Sequence, residues 1–416
     1  MDIFEIANKI KRHGGNLYLV GGAIRDKLLG NEVHDEDYCV TGISVEEFEK
    51  LFPYAHIRGR SFEVYDIEGK EFAMARKEKK NGKGHKEFEI ETGKNITIEE
   101  DLRRRDITIN SIAQEVLTGK LIDPFNGVKD IQNKLIRATS NAFLEDPLRV
   151  YRVARLSASL NFEVEDNTIN MMKKLKNELN TLSKERVFTE FRKALSTNKP
   201  SKFFDILKKS NVLDVHFKEI YDLIGSIQPQ KYHPEGDSYN HTMEVVDKSV
   251  VFTNDLHLRF SALVHDLGKG ITPKEMLPHH YGHDEKGVKL VEELGKRIGI
   301  PRAWLKCGKI AAKEHMRGGI FNRMTPAKQV DFITRVSKSM LGLNGMKIVV
   351  MCDKWRGEEL PKDIKFDVIG NEILEKINGN YIKQNYNVKD EKLIGELLRN
   401  KRIELIKSIE NKNKLI

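Results

Sequence analysis

The chain has 416 residues, of which 39% are hydrophobic and 32% charged, and its formal net charge at pH 7 is +9. This length suits roughly two to four domains, and the composition predicts a soluble protein. No apolar run approaches the length that crosses a bilayer, and the N-terminus lacks the apolar centre of a signal peptide. Three cysteines without a CxxC pair argue against disulfides and structural zinc. We therefore expect a cytoplasmic protein with no membrane partner.

The order of predicted elements divides the chain into an α/β part and an all-α part. Strand-like segments alternate with helical patterns and glycine turns up to about residue 140. This predicts an α/β head built on a small mixed sheet with helices, followed by an all-α neck, body and tail. The predicted strands are 17–20, 38–41, 62–66 and 71–75. The predicted domains are 1–140 (head), 141–224 (helical neck), 225–360 (body) and 361–416 (helical tail).

Paired carboxylates follow the first strand, its glycine turn and a short helix. Asp35 and Asp37 are two residues apart in a strand-like segment, so their side chains share a face and repel unless a cation neutralises them. Mg²⁺ is the natural occupant, and backbone amides of the turn at Gly22 can meet a triphosphate. The pattern predicts metal-assisted transfer from a nucleotide. Glu71 and Asp106 are both candidates for a third carboxylate.

Arginines are placed to neutralise phosphate. Arg25 lies in the first turn of the helix after the glycines, and Arg105 lies in the run RRRD. Further basic residues cluster at 76–86 and 399–414. Such clusters favour a polyanionic partner, of which nucleic acid is the commonest, although the C-terminal cluster is equally explained as a solvated surface.

The segment EDPLRVYRVAR contains a candidate base-reading pair. Asp146 can accept hydrogen bonds and Arg149 can donate them. Together they match the amino donor and ring-nitrogen acceptor that cytosine and adenine share, and they refuse uracil and guanine. Arg152 and Arg155 recur every third residue, so they drift around the helix toward other parts of the nucleotide or the RNA. Alone, the segment would indicate a helix with Asp146 at its N-cap, Pro147 at its first position and a basic face.

Histidines and aspartates in the second half suggest a second metal site. His241 precedes His265 and Asp266, which stand in HDLGKG. Imidazole and carboxylate ligands suit a divalent transition metal that activates water for phosphoester hydrolysis. Further histidines follow at 279, 280 and 283, and they either add to this site or support it from outside. His315 is expected to be a surface or core residue.

The residues in these segments resemble a known family. The matching stretches are LVGGAIRD, DEDYCVTG, ARKEKKNGKG, EEDLRRRDITINSIA, IDPFNGVKDIQNKLIR, EDPLRVYRVAR, ERVFTEFRKAL and HDLGKGITP. In that order they are similar to the bacterial class II CCA-adding tRNA nucleotidyltransferases that carry a fused HD domain. They reach from the N-terminus to about residue 273, and the resemblance weakens beyond.

The resemblance implies an activity and roles for the residues. It implies template-independent addition and repair of the 3′-terminal CCA of tRNA from CTP and ATP, with Mg²⁺ held by Asp35 and Asp37. The basic loop around Gly82 corresponds to a mobile element that helps the switch from C to A addition. The resemblance and the basic charge also imply that the helical body and tail follow RNA phosphates, while contact of the tail lysines with RNA is left open. The implied ATP and CTP contacts are Gly22, Arg25, Arg105, Asp146, Arg149, Arg152 and Arg155.

For the HD domain the resemblance implies 2′,3′-cyclic phosphodiesterase, 2′-nucleotidase and phosphatase activity, with a divalent metal such as Ni²⁺. The implied ligands are His241, His265, Asp266 and Asp353. In the family the last aspartate stands two residues before an Arg-Gly pair, whereas Asp353 stands three before Arg356. On a helix this turns the side chain by about 100°. Either the register adjusts, or the site lacks one ligand.

Other functions remain open from the sequence. A poly(A) polymerase of the same superfamily would extend RNAs with adenylates and ignore CTP. A tRNA-binding protein with degenerate sites would bind without incorporation, and a third possibility makes the HD domain the main activity. The oligomeric state, monomer or homodimer, is not specified by the sequence.

Overall fold

A computed structural model describes residues 2–33, 35–58, 64–80, 88–231, 235–357, 359–386, 388 and 390–413. The chain divides into two compact units, each made of two segments. The first unit comprises Met1–Glu190 and Lys202–Val215, and the second comprises Phe191–Ser201 and His216–Ile416. The basic loop around Gly82 and the first residues of the strand predicted at 62–66 lie outside the described residues.

The first unit contains a mixed sheet of seven strands in the order β3-β4-β5-β2-β1-β8-β9. Neighbouring strands are antiparallel except β2 and β5, which are parallel. Two separate pairs, β6–β7 and β10–β11, complete the strands described. The strands are β1 (Asn16–Val20), β2 (Asp37–Thr41), β3 (His56–Arg58), β4 (Val64–Ile67), β5 (Lys70–Met74), β6 (Arg76–Lys80), β7 (Phe88–Thr92), β8 (Ala113–Glu115), β9 (Leu121–Ile122), β10 (Leu135–Ile136) and β11 (Glu163–Val164).

Helices pack with this sheet, and β11 is the one strand among the residues described after residue 146. Those that begin before residue 217 are α1 (Ile3–Arg12), α2 (Gly22–Leu29), α3 (Val45–Leu51), α4 (Ile98–Arg103), α5 (Gly127–Gln132), α6 (Leu148–Leu160), α7 (Asp166–Lys174), α8 (Lys184–Leu195), α9 (Ser201–Lys209) and α10 (Leu213–His216). The others are α11 (Lys218–Tyr221), α12 (Ser238–Phe252), α13 (Leu256–Val264), α14 (His283–Ile298), α15 (Arg302–Gly319), α16 (Pro326–Ser337), α17 (Gly342–Lys354), α18 (Phe366–Lys376), α19 (Gly379–Asn385) and α20 (Glu391–Asn413).

Local sequence explains why these elements start where they do. A capping box opens α4, because Thr97 accepts from the amide of Glu100 while the Glu100 carboxylate accepts from the Thr97 amide. Buried side chains of the central strands, including Val20 and Cys39, pack with Leu102 of α4 in one apolar cluster. This packing fixes the residues that follow α4 close to the ends of β1 and β2.

The predicted α/β head followed by helices is confirmed, with two local differences. β2 begins at Asp37, so Asp35 precedes the strand instead of lying within it. Pro147, not Asp146, is the N-cap residue of α6. Asp146 lies one residue before the N-cap, and its carboxylate still accepts a hydrogen bond from the Leu148 amide. It therefore satisfies one of the amide donors at the N-terminus of α6. The four predicted domain ranges stay a prediction.

Among the residues described, no helix combines the length and the apolar character that crossing a membrane requires.

Candidate active sites

The glycine turn between β1 and α2 is held close to an arginine. Gly21 adopts φ = 74°, a left-handed conformation that favours glycine, and α2 starts at the next residue. A β-carbon at Gly21 would lie 3.1 Å from Nη1 of Arg105, and one at Gly22 would lie 3.4 Å from Nη2 of Arg25. Glycines at both positions therefore let two guanidinium groups approach the backbone at the start of α2.

The two predicted catalytic carboxylates lie at the same end of the sheet. Asp35 and Asp37 both line a cavity of about 570 Å³, together with Glu71. Glu71 is the neighbour of Asp37 in the parallel register of β2 and β5. Burial raises the pKa of Asp37 and the Asp35 charge raises it further, while Arg105 opposes both. The Asp35 charge disfavours ionisation of Asp37, and a divalent cation beside both carboxylates would remove that repulsion.

Asp37 also lines a second cavity, of about 430 Å³, on the side of the glycine turn. Six arginines and three aspartates line this cavity, an excess of three positive charges that suits a triphosphate. Five of the residues predicted to contact nucleotide are among those lining it. The lining comprises Gly21, Gly22, Asp37, Arg76, Arg104, Arg105, Asp106, Asn110, Asp146, Leu148, Arg149, Arg152 and Arg186.

Two predicted nucleotide contacts lie outside that lining. Arg25 makes two hydrogen bonds of 2.9 Å to Asp26 and one of 2.8 Å to the side-chain oxygen of Asn110. Arg155 donates to Glu190 at 2.6 Å, and its side chain is 18% exposed. Both arginines are thus held by carboxylates, and their roles toward a nucleotide stay predictions.

The base-reading pair predicted from the sequence is fixed by backbone contacts. Arg149 donates to the carbonyl oxygens of Ala142 at 2.6 Å and Arg104 at 2.7 Å, which uses two of its five donors. One oxygen of Asp146 accepts from the Leu148 amide, and the other accepts from Arg186 at 3.2 Å. The two side chains therefore face the same cavity with restricted orientations.

Asp106, one of the two candidates for a third carboxylate, is already neutralised within the protein. It is buried and accepts from Arg152 at 2.8 Å, from the Ile107 amide at 3.0 Å and from Asn110 at 3.4 Å. Burial would raise its pKa, but Arg152 and Arg149 outweigh burial and lower that pKa to about 2. This environment is typical of a structural ion pair, whereas Glu71 is half exposed beside Asp37.

A cluster of four side chains in the second unit matches the predicted HD metal site. His241 lies on α12, His265 ends α13, Asp266 follows it, and Asp353 lies on α17. Each offers one ligand atom, and these atoms all lie within 4.8 Å of one another. Nε2 of His241 is 3.0 Å from Asp353 and 3.6 Å from Asp266.

The chemistry of this cluster fits a divalent transition metal. His265 Nε2 and both Asp266 oxygens are buried, and Nε2 of His265 lies 3.2 Å from Oδ2 of Asp266. Lys269 approaches Asp266 to 2.6 Å, and burial, which would raise the Asp266 pKa, is outweighed by Lys269 and His265, which lower it. Burial would lower the pKa of His241, but hydrogen bonds to Asp353 and Glu235 raise it. Ionised carboxylates beside buried imidazoles form a suitable donor set.

The spacing difference at Asp353 is accommodated beyond the helix. α17 ends at Lys354, and Trp355 is extended with ψ = 117°, so the extra residue before Arg356 lies outside helical geometry. Asp353 consequently faces the histidines, while Arg356 reaches 3.5 Å from Glu235, the residue that accepts from Nδ1 of His241. The change of helical direction expected from the sequence therefore does not arise.

Several residues of these sites were not assigned from the sequence. Asp101 is buried and accepts hydrogen bonds from Arg104 and Arg105. Its place in the motif EEDLRRRD was a sequence signal that could have identified it. Glu235 and His315 had none, because neither stands in a motif. His315 is buried, and a core position was one of the two environments expected for it. Its Nε2 lies 3.2 Å from Asp266.

Three family descriptions match successive parts of the chain. "Poly A polymerase head domain" matches residues 17–137, "Probable RNA and SrmB- binding site of polymerase A" matches 161–223, and "HD domain" matches 238–336. The first range contains the glycine turn and the paired carboxylates, and the third contains His265 and Asp266.

Curated relatives match 72% of the chain. The chain is 44% identical over 306 residues to a "Multifunctional CCA protein" of Shewanella frigidimarina, which covers 72% of this chain and 73% of the relative. It is also 44% identical over 306 residues to the protein of that name from Psychromonas ingrahamii, with coverage of 72% and 74%. The chain belongs to the family of the multifunctional CCA proteins. It is therefore a CCA-adding nucleotidyltransferase that also carries an HD domain, and both parts depend on divalent metal.

Solved structures share the fold at low identity. A CCA-adding enzyme in complex with ATP aligns with a TM-score of 0.64 at 19% identity, over 97% of this chain and 90% of that one. The Thermotoga maritima CCA-adding enzyme complexed with tRNA aligns with a TM-score of 0.63 at 18% identity, over 97% and 92%. These similarities show that this chain shares the fold of the CCA-adding enzymes.

Proposed function

We propose that the head of this multifunctional CCA protein adds and repairs the 3′-terminal CCA of tRNA with Asp35 and Asp37 as metal-binding catalytic residues. The observation that carries the proposal is that Asp37 lines two cavities, the one of about 570 Å³ that Asp35 and Glu71 also line and the arginine-rich one of about 430 Å³. In the proposed reaction the 3′-hydroxyl oxygen of tRNA attacks the α-phosphorus of CTP or ATP. The new phosphodiester bond forms as the bond to pyrophosphate breaks, and pyrophosphate leaves.

Asp35 and Asp37 are proposed to hold Mg²⁺, with Glu71 as the third carboxylate. When bound, the ion would lower the pKa of the attacking hydroxyl and neutralise charge on the leaving pyrophosphate. Register supports Glu71 over Asp106, since Glu71 neighbours Asp37 across β2 and β5. Asp106 is instead committed to Arg152.

The arginine-rich cavity is proposed to bind the nucleotide. Backbone amides at Gly22 would contact the triphosphate, because the N-terminus of a helix binds anions. The guanidinium of Arg105 would donate further, charge-assisted hydrogen bonds to it. Asp146 would accept from the exocyclic amine and Arg149 would donate to the ring nitrogen of cytosine or adenine. Arg152, and from outside the lining Arg25 and Arg155, are proposed to complete the ATP and CTP site.

Incorporation of labelled nucleotides tests the head. The substrate is tRNA lacking its last three nucleotides, supplied with CTP and ATP together and each alone. Asp35→Asn and Asp37→Asn should each reduce the rate at least about 10³-fold, because each removes one of the two carboxylates proposed to ligate the ion directly. Glu32→Gln removes an exposed carboxylate three residues upstream and should keep the wild-type rate. Full activity of Asp37→Asn would refute the metal role.

The alternative of a poly(A) polymerase is less supported, because the curated relatives named above are multifunctional CCA proteins. The same assay separates the two functions by product length. Addition that stops after three nucleotides and needs CTP supports CCA addition. Long adenylate products formed without CTP would support the alternative.

The HD domain is proposed to hydrolyse phosphoesters on RNA ends, as a 2′,3′-cyclic phosphodiesterase, 2′-nucleotidase and phosphatase. His241, His265, Asp266 and Asp353 would hold a divalent transition metal, and Ni²⁺ is the proposed ion. Such an ion would supply an activated water to the ester phosphorus. The supporting observation is that one ligand atom from each of these four side chains lies within 4.8 Å of the others.

Hydrolysis of a 2′,3′-cyclic nucleotide tests the HD proposal. Protein loaded with Ni²⁺ or Mg²⁺ is compared with His265→Ala, which should lose at least about 100-fold of the hydrolysis rate. Nucleotide incorporation by the same variant serves as the fold control. Unchanged hydrolysis would refute the assignment.

The proposed partners are the acceptor end of tRNA, ATP and CTP. The net charge of +9 supports binding of a polyanion. A cytoplasmic location and RNA contacts by tail lysines are further proposals that follow from action on tRNA. The oligomeric state, monomer or homodimer, stays a prediction.

A further inference from the structure

Two exposed aromatic rings line a cavity beside the proposed HD ligands. His279 and Tyr281 stack on each other, with ring centroids 5.8 Å apart and ring planes inclined by 25°. Tyr281 is 69% exposed, although a side chain of this size usually buries much of its apolar surface. Both residues line the same cavity, which has a volume of about 280 Å³. They therefore offer an aromatic surface to whatever enters that cavity.

The same cavity extends to the proposed metal site. Asp353, one of the four proposed ligands, lines it. Lys269 lines it as well, and its Nζ lies 2.6 Å from Oδ2 of Asp266. A phosphoester held at this end would place the rest of its molecule in the cavity that the two rings line. The volume is near the lower end of the roughly 300–1,000 Å³ typical of small-ligand sites, which suits one nucleotide.

A buried amide in the wall of this cavity has an unused donor. Gln228 is buried and lines the cavity. Its Oε1 accepts from Nζ of Lys269 at 2.6 Å, and an ammonium group only donates, so the other amide atom is the nitrogen. This Nε2 is buried and has no hydrogen-bond partner among the residues that the structure describes. A buried donor without an acceptor is destabilising, and an oxygen of a bound ligand would satisfy it.

Hydrogen bonds hold the segment of the two rings against the segment of Gln228. His280 lies between the rings in sequence, and its Nε2 is 3.1 Å from the carbonyl oxygen of Ile227. A carbonyl oxygen only accepts, so Nε2 carries the hydrogen, and Nδ1 accepts from the hydroxyl of Thr272 at 2.8 Å. The aromatic surface and the buried amide are therefore linked through the backbone before any ligand binds.

We propose that this cavity is a nucleoside subsite, in which His279 and Tyr281 stack the nucleobase and Gln228 donates to a ribose or phosphate oxygen. The inference deepens the proposed HD function and rests on it, because it names the substrates as phosphoesters that carry a base. Stacking on an aromatic ring tolerates every base, so the subsite selects nucleotides over base-free esters without selecting one base. The two rings determine specificity and take no part in breaking the ester bond.

Calorimetry of metal-free protein tests the subsite without hydrolysis. The full chain in chelator is titrated with adenosine 2′-monophosphate and, separately, with the base-free ester glycerol phosphate. Tyr281→Ala should raise the dissociation constant of the nucleotide about 10-fold and leave that of glycerol phosphate unchanged. Tyr281→Phe keeps the ring and should stay within about twofold of wild type. Any binding at the head is common to all variants, so the difference between them belongs to Tyr281.

Tyr221→Ala is the matched control, since Tyr221 is an exposed tyrosine of the same unit that does not line the cavity. It should bind both ligands as wild type does. Because Tyr281 is exposed, Tyr281→Ala should also keep the melting temperature of wild type. Unchanged nucleotide affinity in Tyr281→Ala, or an equal loss of affinity for both ligands, would overturn the proposal.

Kinetics of metal-loaded protein separates this inference from the proposed activity. With adenosine 2′,3′-cyclic monophosphate, Tyr281→Ala should raise KM about 10-fold with little change in kcat, because stacking binds the substrate and the transition state alike. Nucleotide binding that needs the ring, without any hydrolysis, would uphold the inference and refute the proposed activity. Hydrolysis with a KM that is indifferent to Tyr281 would uphold the activity and refute the inference.

Discussion

The buried carboxylate of Asp101 accepts two hydrogen bonds from the guanidinium of Arg105 through one oxygen, at 3.1 Å and 3.3 Å. Its other oxygen accepts from Arg104 at 2.7 Å. Burial would raise the pKa of Asp101, but the two arginines outweigh burial and lower that pKa. Asp101 is therefore a positioning residue that orients the guanidinium groups of Arg104 and Arg105, which line the arginine-rich cavity.

Removing the charge of Asp101 should weaken the hydrogen bonds that orient Arg104 and Arg105, while the size of the buried side chain stays the same. We expect Asp101→Asn to raise the KM for CTP and ATP by about 5- to 30-fold, equivalent to about 1–2 kcal/mol, with a smaller change in kcat. Steady-state kinetics measure the split. In a double-mutant cycle with Arg105→Lys the effects should be less than additive. Additive effects, or a loss of kcat alone, would show that Asp101 does not act through Arg105.

Nucleotide selection should depend on Arg149. Because its guanidinium is oriented by two carbonyl oxygens, Arg149→Lys removes a planar donor edge that lysine cannot reproduce. We expect kcat/KM for CTP and ATP to fall by about 10- to 100-fold, while misincorporation of UTP and GTP rises relative to them. Single-nucleotide incorporation measures both. Arg137→Lys, at an ion pair with Asp130, is the matched control and should keep the selectivity. A uniform loss for all four nucleotides would contradict base reading.

Asp353 should be required for the HD activity alone. It lies 3.0 Å from His241 but belongs to a different helix from the other three ligands. Asp353→Asn should reduce cyclic-phosphate hydrolysis at least about 100-fold and leave CCA addition unchanged. Asp363→Asn, an exposed aspartate ten residues further on, is the control for hydrolysis. Hydrolysis that withstands Asp353→Asn would mean that the extra residue before Arg356 has cost the site a ligand.

The stability of the second unit should fall in mild acid because of His216. Burial, with a smaller effect of Arg297, lowers its pKa to about 4, well below the ordinary value of 6.5. The unfolded chain therefore binds the proton first, so stability is complete above pH 6.5 and is lost as the pH falls toward 4. The expected loss is about 2–3 kcal/mol. Denaturation at pH 7 and pH 4.5 should show a smaller loss in His216→Gln than in wild type. An equal loss in both would exclude His216 as the cause.

The local sequence pattern predicted the secondary-structure elements better than it predicted which elements pair with one another. The glycine turn, the paired acids and the strand at Glu71 were visible because strands and turns depend on nearby residues. The parallel pairing that makes Glu71 a neighbour of Asp37 depends on the whole sheet, so the sequence left Glu71 and Asp106 as equal candidates.

Long-range convergence was the other hidden feature. His315 is 49 residues from Asp266 and stands in no motif, so nothing local distinguishes it from an ordinary core histidine. The end of α17 at Lys354 was equally hidden, and with it the reason that Asp353 still faces His241. Such features depend on how helices pack and where they stop, which periodicity does not encode.

The two candidate carboxylates of the head should separate into a catalytic and a structural residue. Glu71→Gln should lower the rate of nucleotide incorporation about 10- to 100-fold with little change in melting temperature, because Glu71 is half exposed and its ion-pair partner Arg58 is 3.8 Å away. Asp106→Asn should destabilise the first unit by about 2–3 kcal/mol, because the substitution leaves Arg152 without its carboxylate partner. Arg152 helps to lower the pKa of the Asp106 carboxylate to about 2, and that shift sets the size of the expected loss.

The pH dependence provides the check on Asp106. Its folded-state pKa lies below the unfolded value, so its contribution is present above about pH 4 and is lost as the pH falls toward 2. Thermal melting at pH 7 should therefore distinguish Asp106→Asn from wild type more strongly than melting at pH 3. If Glu71→Gln were destabilised and Asp106→Asn were only inactive, the roles would have to be exchanged. Asp106 would then be the third carboxylate, released from Arg152 when nucleotide binds.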